Sequence, residues 1–310
     1  MKKISIITAC YNEEENVAVL CGRIRAVMKT LPQYEYEHIF IDNASKDGTV
    51  ACIRKEIEAD KHIRCIVNAR NFGHIRSPFH GLRQCHGDAV ISMCSDLQDP
   101  PETIPQLVAK WEEGYKVVIG VKNQSKENKL MFAVRKCFYN LMAKMSDVEQ
   151  VKQFTGFGLY DRRFVDVLRG IDDPYPYFRG LVSELGFDMA TVEFVQPRRE
   201  HGKTKNNFYT LYDMAMLGFV NYSKVPLRLA CFLGFGVAVL SALVALFYLV
   251  YKLVFWHSFS AGQAPLVIGL FFFSAVQLIF IGIVGEYVGA VHTQVRKRPL
   301  VIEKERINFD

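Results

Sequence analysis

Asp96, Gln98 and Asp99 stand just beyond a short apolar run, residues 89–93, and just ahead of Pro100 and Pro101. An apolar run of that length bounded by turn formers reads as a buried parallel strand. The prolines can open a helix but cannot continue a central strand. The two carboxylates and the amide therefore fall past the carboxyl end of a strand, the rim at which open α/β sheets bind ligands. Oxygen donors of this kind suit a hard cation, Mg2+ or Mn2+, that also holds substrate phosphates. An ordinary strand-to-helix turn, with Asp99 near a helix start, fits this stretch alone equally well.

The elements that must position those side chains can be read in order. Strands are expected at 3–9, 36–41, 63–67, 89–93 and 116–120, with helices at about 14–29, 49–59, 77–85 and 102–113 between or after them. Alternation of this kind implies a mostly parallel sheet with helices on both faces. Three strands end in polar clusters holding Glu13, Asp42 and Asp96, and on a parallel sheet these meet along one edge. No GxGxxG or Walker A glycine pattern follows any strand, which removes the usual dinucleotide and P-loop readings. Residues 128–145 have helical periodicity with Arg135, Lys136 and Lys144 interleaved, as a core helix or a membrane-surface helix. Strands are also expected at 154–160 and ending at 193–196. The basic loop 197–205 around Gly202 reads as a solvated surface or as a phosphate trap, and residues 208–222 as an amphipathic helix.

Composition then sets the compartment. The 310 residues are 50% hydrophobic and carry a net charge of +6, but the apolar residues are unevenly spread. Residues 229–251 and 264–286 open on uncharged blocks of 23 and 22 residues, each long enough to cross about 30 Å of hydrocarbon. Lys224 and Arg228 precede the first block, and Arg296, Lys297 and Arg298 follow the second, so the positive-inside rule makes a hairpin with both ends cytoplasmic. The basic balance fits a membrane surface or phosphate ligands, and with no nucleic-acid-binding signature a nucleic-acid partner is not expected. The eight cysteines form no CxxC pair and no zinc spacing, which suits free thiols in a reducing cytosol. The N-terminus carries no signal-peptide pattern.

Several separate motifs, spread over nearly the whole chain, resemble the family 2 glycosyltransferases, in particular the polyprenyl-phosphate sugar transferases typified by dolichyl-phosphate mannose synthase. They are Ala9-Cys10-Tyr11-Asn12-Glu13, the segment from Asp42 to Thr49, Asn68-Ala69-Arg70-Asn71-Phe72-Gly73, Cys94-Ser95-Asp96-Leu97-Gln98-Asp99-Pro100-Pro101-Glu102, Arg199 to Lys205, and Gly285-Glu286-Tyr287. Departures from the family pattern include Ala9 in place of proline and Cys94 in place of the first carboxylate of the metal motif.

The resemblance implies an α/β fold. A GT-A catalytic domain (nucleotide-diphospho-sugar transferase, Rossmann-like) would occupy 1–200, with a basic loop and juxtamembrane amphipathic helix at 201–228. A transmembrane hairpin would follow at 229–290 and a cytoplasmic tail at 291–310, placing the chain in the inner (plasma) membrane. It implies that Tyr11, Glu13, Asp42, Asn43 and Arg70 hold the nucleotide sugar, Asn43 by offering both a donor and an acceptor to a pyrimidine edge. Asp96 and Gln98 would bind Mg2+ or Mn2+, with Asp96 and Asp99 as the catalytic carboxylates. Cys94 would pack beside the metal without ligating it. Arg199 and Lys205, with Lys122 and Arg135, would receive the lipid phosphate.

The implied reaction is inverting transfer of a hexose, from a UDP-sugar in preference to a GDP-sugar, to undecaprenyl or another polyprenyl phosphate. A homo-oligomer built through juxtamembrane helices is left open. A processive polysaccharide synthase would carry Gln-x-x-Arg-Trp, and neither Trp111 nor Trp256 stands in such a context. A different acceptor, or a non-catalytic scaffold that binds nucleotide sugar or lipid, is the remaining alternative.

Overall fold

The computed structural model describes residues 1–122, 151, 154–197, 216, 220, 223–255 and 263–309. Its sheet is built by β1 (Lys2–Cys10), β2 (Tyr34–Asp42), β3 (Ile63–Asn68), β4 (Ala89–Cys94), β5 (Val117–Lys122), β6 (Phe154–Asp161), β7 (Met189–Phe194) and β8 (Glu303–Ile307). The spatial order is β7-β5-β6-β4-β1-β2-β3-β8. Strands β4, β1, β2 and β3 are mutually parallel, as are β5 and β7; β6 and β8 run against their neighbours. The mostly parallel sheet expected from the alternation is thus present.

The strands are apolar on both sides because both sides are covered. On one face Ile4, Ile6, Phe40 and Ile91 pack with Val17, Leu20 and Ile24 of α1 (Glu14–Met28), Ile53 of α2 (Thr49–Ala59) and Leu107 of α4 (Ile104–Glu112). On the other, Ile7, Ile39, Ile41 and Val90 meet Phe79 and Leu82 of α3 (Gly73–Gln84), with Phe164 of α5 (Arg162–Gly170) and Leu181 of α6 (Phe178–Glu184). A 3-10 turn, Pro101–Thr103, opens α4, as the paired prolines required. Helix α3 begins four residues before the expected position. Pro78 lies inside it, where its missing N–H forgoes only a bond to the carbonyl of the first turn. Gly158 explains the glycine punctuation of β6: a Cβ there would stand 2.5 Å from the Val118 carbonyl oxygen.

The sheet also buries a titratable group. His38 on β2 is 1% exposed, and its Nε2 lies 3.0 Å from Thr8 Oγ1 on β1. Burial lowers its pKa to about 3. The folded chain therefore keeps His38 neutral while the unfolded chain protonates it below about 6.5, so stability is lost as the pH falls through that value. The loss expected between pH 7 and pH 5 is about 2 kcal/mol. Thermal unfolding in detergent should show a midpoint that drops across this range in the wild type and much less in His38→Gln. Equal slopes in the two proteins would refute the assignment.

Two long helices follow the sheet domain, α7 (Val225–Val254) and α8 (Gln263–Val295). Both are long and apolar enough to cross a membrane, with mean hydropathies of 2.5 and 2.3 over their most apolar windows. Their large apolar side chains face outward, Phe232 at 75% and Phe271 at 70% exposure, as lipid-facing residues do. The helices overrun the expected spans, α8 continuing past Glu286 to Val295. The Tyr287 hydroxyl donates to the Ser223 carbonyl at 2.6 Å, tying α8 to the start of α7.

Residues 291–310 are not the tail expected. After α8 the chain buries Leu300 and Val301 in the α3 face and then adds β8 antiparallel to β3. The sheet domain is therefore assembled from segments on both sides of the hairpin. Of the expected juxtamembrane helix at 208–222, Met216 and Val220 are described, both helical.

Candidate active site

The carboxyl ends of β1, β2, β3, β4, β5 and β7 share one edge, with Cys10 paired to Asp42 and Ala9 to Cys94 across the ladder. The turns after β1, β2 and β4 each contain a non-glycine residue in the left-handed region: Asn12 (φ 54°), Ala44 (φ 61°) and Leu97 (φ 59°). Such residues cost about 1 kcal/mol each and persist only where their surroundings hold them. Here the first two turns brace each other. The Asn12 amide donates to Ser45 Oγ at 2.8 Å and its Oδ1 accepts from the Lys46 amide at 2.8 Å. The Glu13 amide donates to Thr49 Oγ1 at 2.8 Å, and the Gly48 amide to Glu14 Oε2 at 2.6 Å. Leu97 is anchored differently, its side chain driven into the α1 face at 1% exposure.

Burying Leu97 leaves its neighbours Asp96 and Gln98 on the other side of the turn. Asp96 is 8% exposed and its Oδ1 accepts the Gln98 amide at 3.2 Å. Asp99 is buried, and its Oδ2 accepts the Cys94 amide at 2.9 Å, closing the loop on the strand it left. Burial pushes the Asp99 pKa up to about 6; the Cys94 amide opposes that rise and the charge of Asp96 adds to it. Lys122, which β5 carries two residues past its expected end, faces this group closely enough to lower the pKa of both Asp99 and Cys94. Cys94 reaches solvent at the mouth of the turn, while its thiol is backed by protein atoms. That desolvation, with Asp99 and Asp96 beside it, raises its pKa well above the ordinary thiol range. A protonated thiol is a poor ligand for a hard cation.

Among the described residues no group of three or more His, Cys, Asp or Glu side chains could hold a metal by itself. The donors of this turn are two mutually repelling carboxylates and the Gln98 amide, which make part of a coordination shell. Magnesium and manganese ordinarily complete theirs with substrate phosphates and water, so the donor set fits such an ion.

The other expected site residues divide. Tyr11 and Glu13 are half-buried at the edge, with Glu13 Oε2 accepting from Asn16 Nδ2 at 2.6 Å. Arg70 is exposed, stacked 4.2 Å over the Phe72 ring. Asp42 is fully buried, capping its own turn through the Ser45 amide at 3.0 Å and the Ser45 hydroxyl; burial raises its pKa. Asn43 is engaged within the fold. Its Nδ2 donates to Asn71 Oδ1 (2.9 Å) and the Gly73 carbonyl (3.1 Å), while its Oδ1 accepts from Asn68 Nδ2 (3.2 Å) and the Phe72 amide (2.9 Å). Two donors and two lone pairs are all a carboxamide has, so Asn43 is fully used in holding the loop after β3. Ser45, Thr49, Asn68 and Ser77, which brace these turns, were not singled out from the sequence, although all but Ser77 stand within the motifs. Arg135, Arg199 and Lys205 lie outside the described residues.

An edge of strand ends bearing an acidic turn, on a mixed sheet of this order, is the GT-A arrangement of sugar transferases. The chain superposes on mannosyl-3-phosphoglycerate synthase from Rubrobacter xylanophilus with a TM-score of 0.51, at 16% identity over 69% of this chain and 71% of that one. The glycosyl transferase family 2 pattern matches residues 5–166, and the chain belongs to that family of glycosyltransferases. It is 32% identical to the uncharacterized glycosyltransferase YkcC of Bacillus subtilis (strain 168), over 99% of this chain and 94% of that protein. It is 33% identical to the SfII prophage-derived bactoprenol glucosyl transferase of Shigella flexneri, over 98% of each.

Proposed function

We propose that this glycosyltransferase moves a hexose from a nucleotide sugar, preferably a UDP-sugar, to a polyprenyl phosphate at the cytoplasmic face of the plasma membrane. The observation that carries the reading is the pairing, in one chain, of an acidic strand-end turn with two helices apolar enough to cross a bilayer. Full-length similarity to a protein named bactoprenol glucosyl transferase supports the choice of acceptor.

In the reaction the bond between the anomeric carbon and the donor diphosphate breaks. A bond from an oxygen of the lipid phosphate forms on the opposite face of the sugar, releasing the nucleoside diphosphate. A phosphate monoester has its second pKa near about 6 and is already largely dianionic at neutral pH, so the acceptor needs no strong base. The protein's task is alignment of that oxygen and neutralisation of the departing charge. Asp96 and Gln98, with Asp99 in support, would hold Mg2+ or Mn2+, which supplies positive charge at the diphosphate. Tyr11, Glu13 and Arg70 would line the nucleotide, over a floor kept in shape by Asp42 and Asn43. Lys122, Arg135, Arg199 and Lys205 would receive the lipid phosphate.

Purified protein in detergent, given a panel of UDP- and GDP-sugars, Mg2+ or Mn2+ and undecaprenyl phosphate, should convert one donor into a glycolipid with equal release of nucleotide. No glycolipid and no nucleotide release with any donor would overturn the reading. The hairpin makes a separate prediction. A cysteine introduced within residues 256–263 of a cysteine-free chain should react with an impermeant maleimide from outside intact cells, and one introduced at Asp310 should not. The reverse pattern would overturn the orientation.

A further inference from the structure

Away from the strand-end edge, a cavity of about 500 Å3 lies between α3 and the segment that leaves α8. Lys297 and Arg298 line it immediately after the apolar helix ends at Val295, with the chain turned into its wall at Lys297, φ 43°. Arg83 of α3 lines it from the domain, and Asp172 and Asp173 from the loop after α5. His80 and Arg169 also line it, but they are already paired, with Glu303 at 2.7 Å and Asp166 at 2.5 Å.

The charges at this open cavity are of both signs, and Asp172, Lys297 and Arg298 are exposed to solvent at its mouth. Among the described residues Lys297, Arg298 and Asp172 have no hydrogen-bond or ion-pair partner. Arg83 donates to the carbonyl of Arg169 at 2.7 Å and lies over the Phe79 ring at 6.0 Å, with no carboxylate partner among the described residues. Asp173 Oδ1 accepts from Gln294 Nε2 at 2.9 Å and from the Tyr175 amide at 2.8 Å. Three bases and two acids therefore share one cavity without a salt bridge between them. An anion alone would sit against the carboxylates, and a cation alone against the bases. A zwitterion with a phosphate at one end and an N–H-bearing ammonium at the other would answer both sets with charge-assisted hydrogen bonds. The cavity lies past the second span on the side where Arg296, Lys297 and Arg298 follow it, and juxtamembrane bases of this kind attract phosphate headgroups.

We propose that this cavity binds a phosphoethanolamine headgroup of the surrounding bilayer, its phosphate on Arg83, Lys297 and Arg298 and its ammonium on Asp172 and Asp173. The inference rests on the membrane hairpin but not on the transfer reaction. The maleimide experiment tests the hairpin separately.

The test is the thermal midpoint of the full-length protein in detergent, titrated with dihexanoyl phosphatidylethanolamine, phosphatidylcholine or phosphatidylglycerol, and with water-soluble glycerophosphoethanolamine. Phosphatidylethanolamine should raise the midpoint saturably. Phosphatidylcholine, which has no N–H, and phosphatidylglycerol, which has no ammonium, should need at least about tenfold more lipid. Asp172→Asn and Lys297→Gln should each weaken the phosphatidylethanolamine response about tenfold while leaving the midpoint without lipid unchanged. A flat response to phosphatidylethanolamine overturns the proposal. So does a response to phosphatidylglycerol of equal affinity that Asp172→Asn leaves intact, because the site then reads only the anion. Glycerophosphoethanolamine matching the lipid in affinity would overturn the bilayer as the source and point to a soluble ligand.

Discussion

Asp96→Asn is expected to lower turnover by about two to three orders of magnitude while leaving the protein folded. The substitution suits the test because the two roles of Asp96 separate chemically. Its structural role is to accept the Gln98 amide at 3.2 Å, which an asparagine Oδ1 can also do, so the turn around Leu97 should survive. Its proposed catalytic role depends on the negative charge, which asparagine lacks. The thermal midpoint should therefore stay within about 2 °C of wild type, a shift of less than about 1 kcal/mol. Mn2+ binding followed by paramagnetic resonance should weaken in step with activity. Wild-type turnover in Asp96→Asn would remove this residue from the chemistry. Lost activity with unchanged Mn2+ affinity would move the metal elsewhere along the edge.

Removing residues 302–310 should cost about 3–5 kcal/mol and lower the midpoint by about 10 °C or more. The estimate rests on the ladder between β8 and β3 and on the bonds that pin it. The Ala69 amide donates to the Ile302 carbonyl at 2.9 Å, and Asn308 Nδ2 donates to the carbonyls of Lys61 and Ile63 at 3.0 and 2.7 Å. The exposed pair Arg54–Glu305, at 2.6 Å, contributes little, so Glu305→Ala alone should shift stability by less than about 1 kcal/mol. The larger effect is the uncovered edge. Without β8, β3 presents unpaired N–H and C=O groups, and edges of that kind recruit other chains. The truncated protein should aggregate on mild heating, and light scattering checks this. A truncated chain with wild-type midpoint and activity would make β8 a dispensable tail.

The contrast between these two segments explains which parts of the structure were legible in advance. The turn at Asp96 announces itself locally, since an apolar run, two carboxylates and two prolines follow one another within a dozen residues. The parallel core and both apolar helices were readable for the same reason: each is a continuous pattern. Strand β8 has no such pattern. Glu303-Lys304-Glu305-Arg306-Ile307 is charged along most of its length and becomes a strand only because β3 offers it an edge. Asn43 was legible as a member of a motif, but its hydrogen bonds within the fold were not. Its four hydrogen bonds come from the loop after β3, some 25 to 30 residues further along the chain. Turns built by local spacing could be read in the sequence; hydrogen bonds whose partners arrive from another turn could not.

The position of β8 also orders the birth of the protein. Strands β1 to β7 precede α7 and α8 in the chain, but β8, at the end of their sheet, is translated only after both helices. Because chains fold from the N-terminus as they are made, β3 stays open until the ribosome has passed the hairpin. A chain stalled or cleaved between α7 and α8 would keep that edge open. An unfinished chain thus presents β3 at this edge of the sheet, where the finished one presents the charged β8.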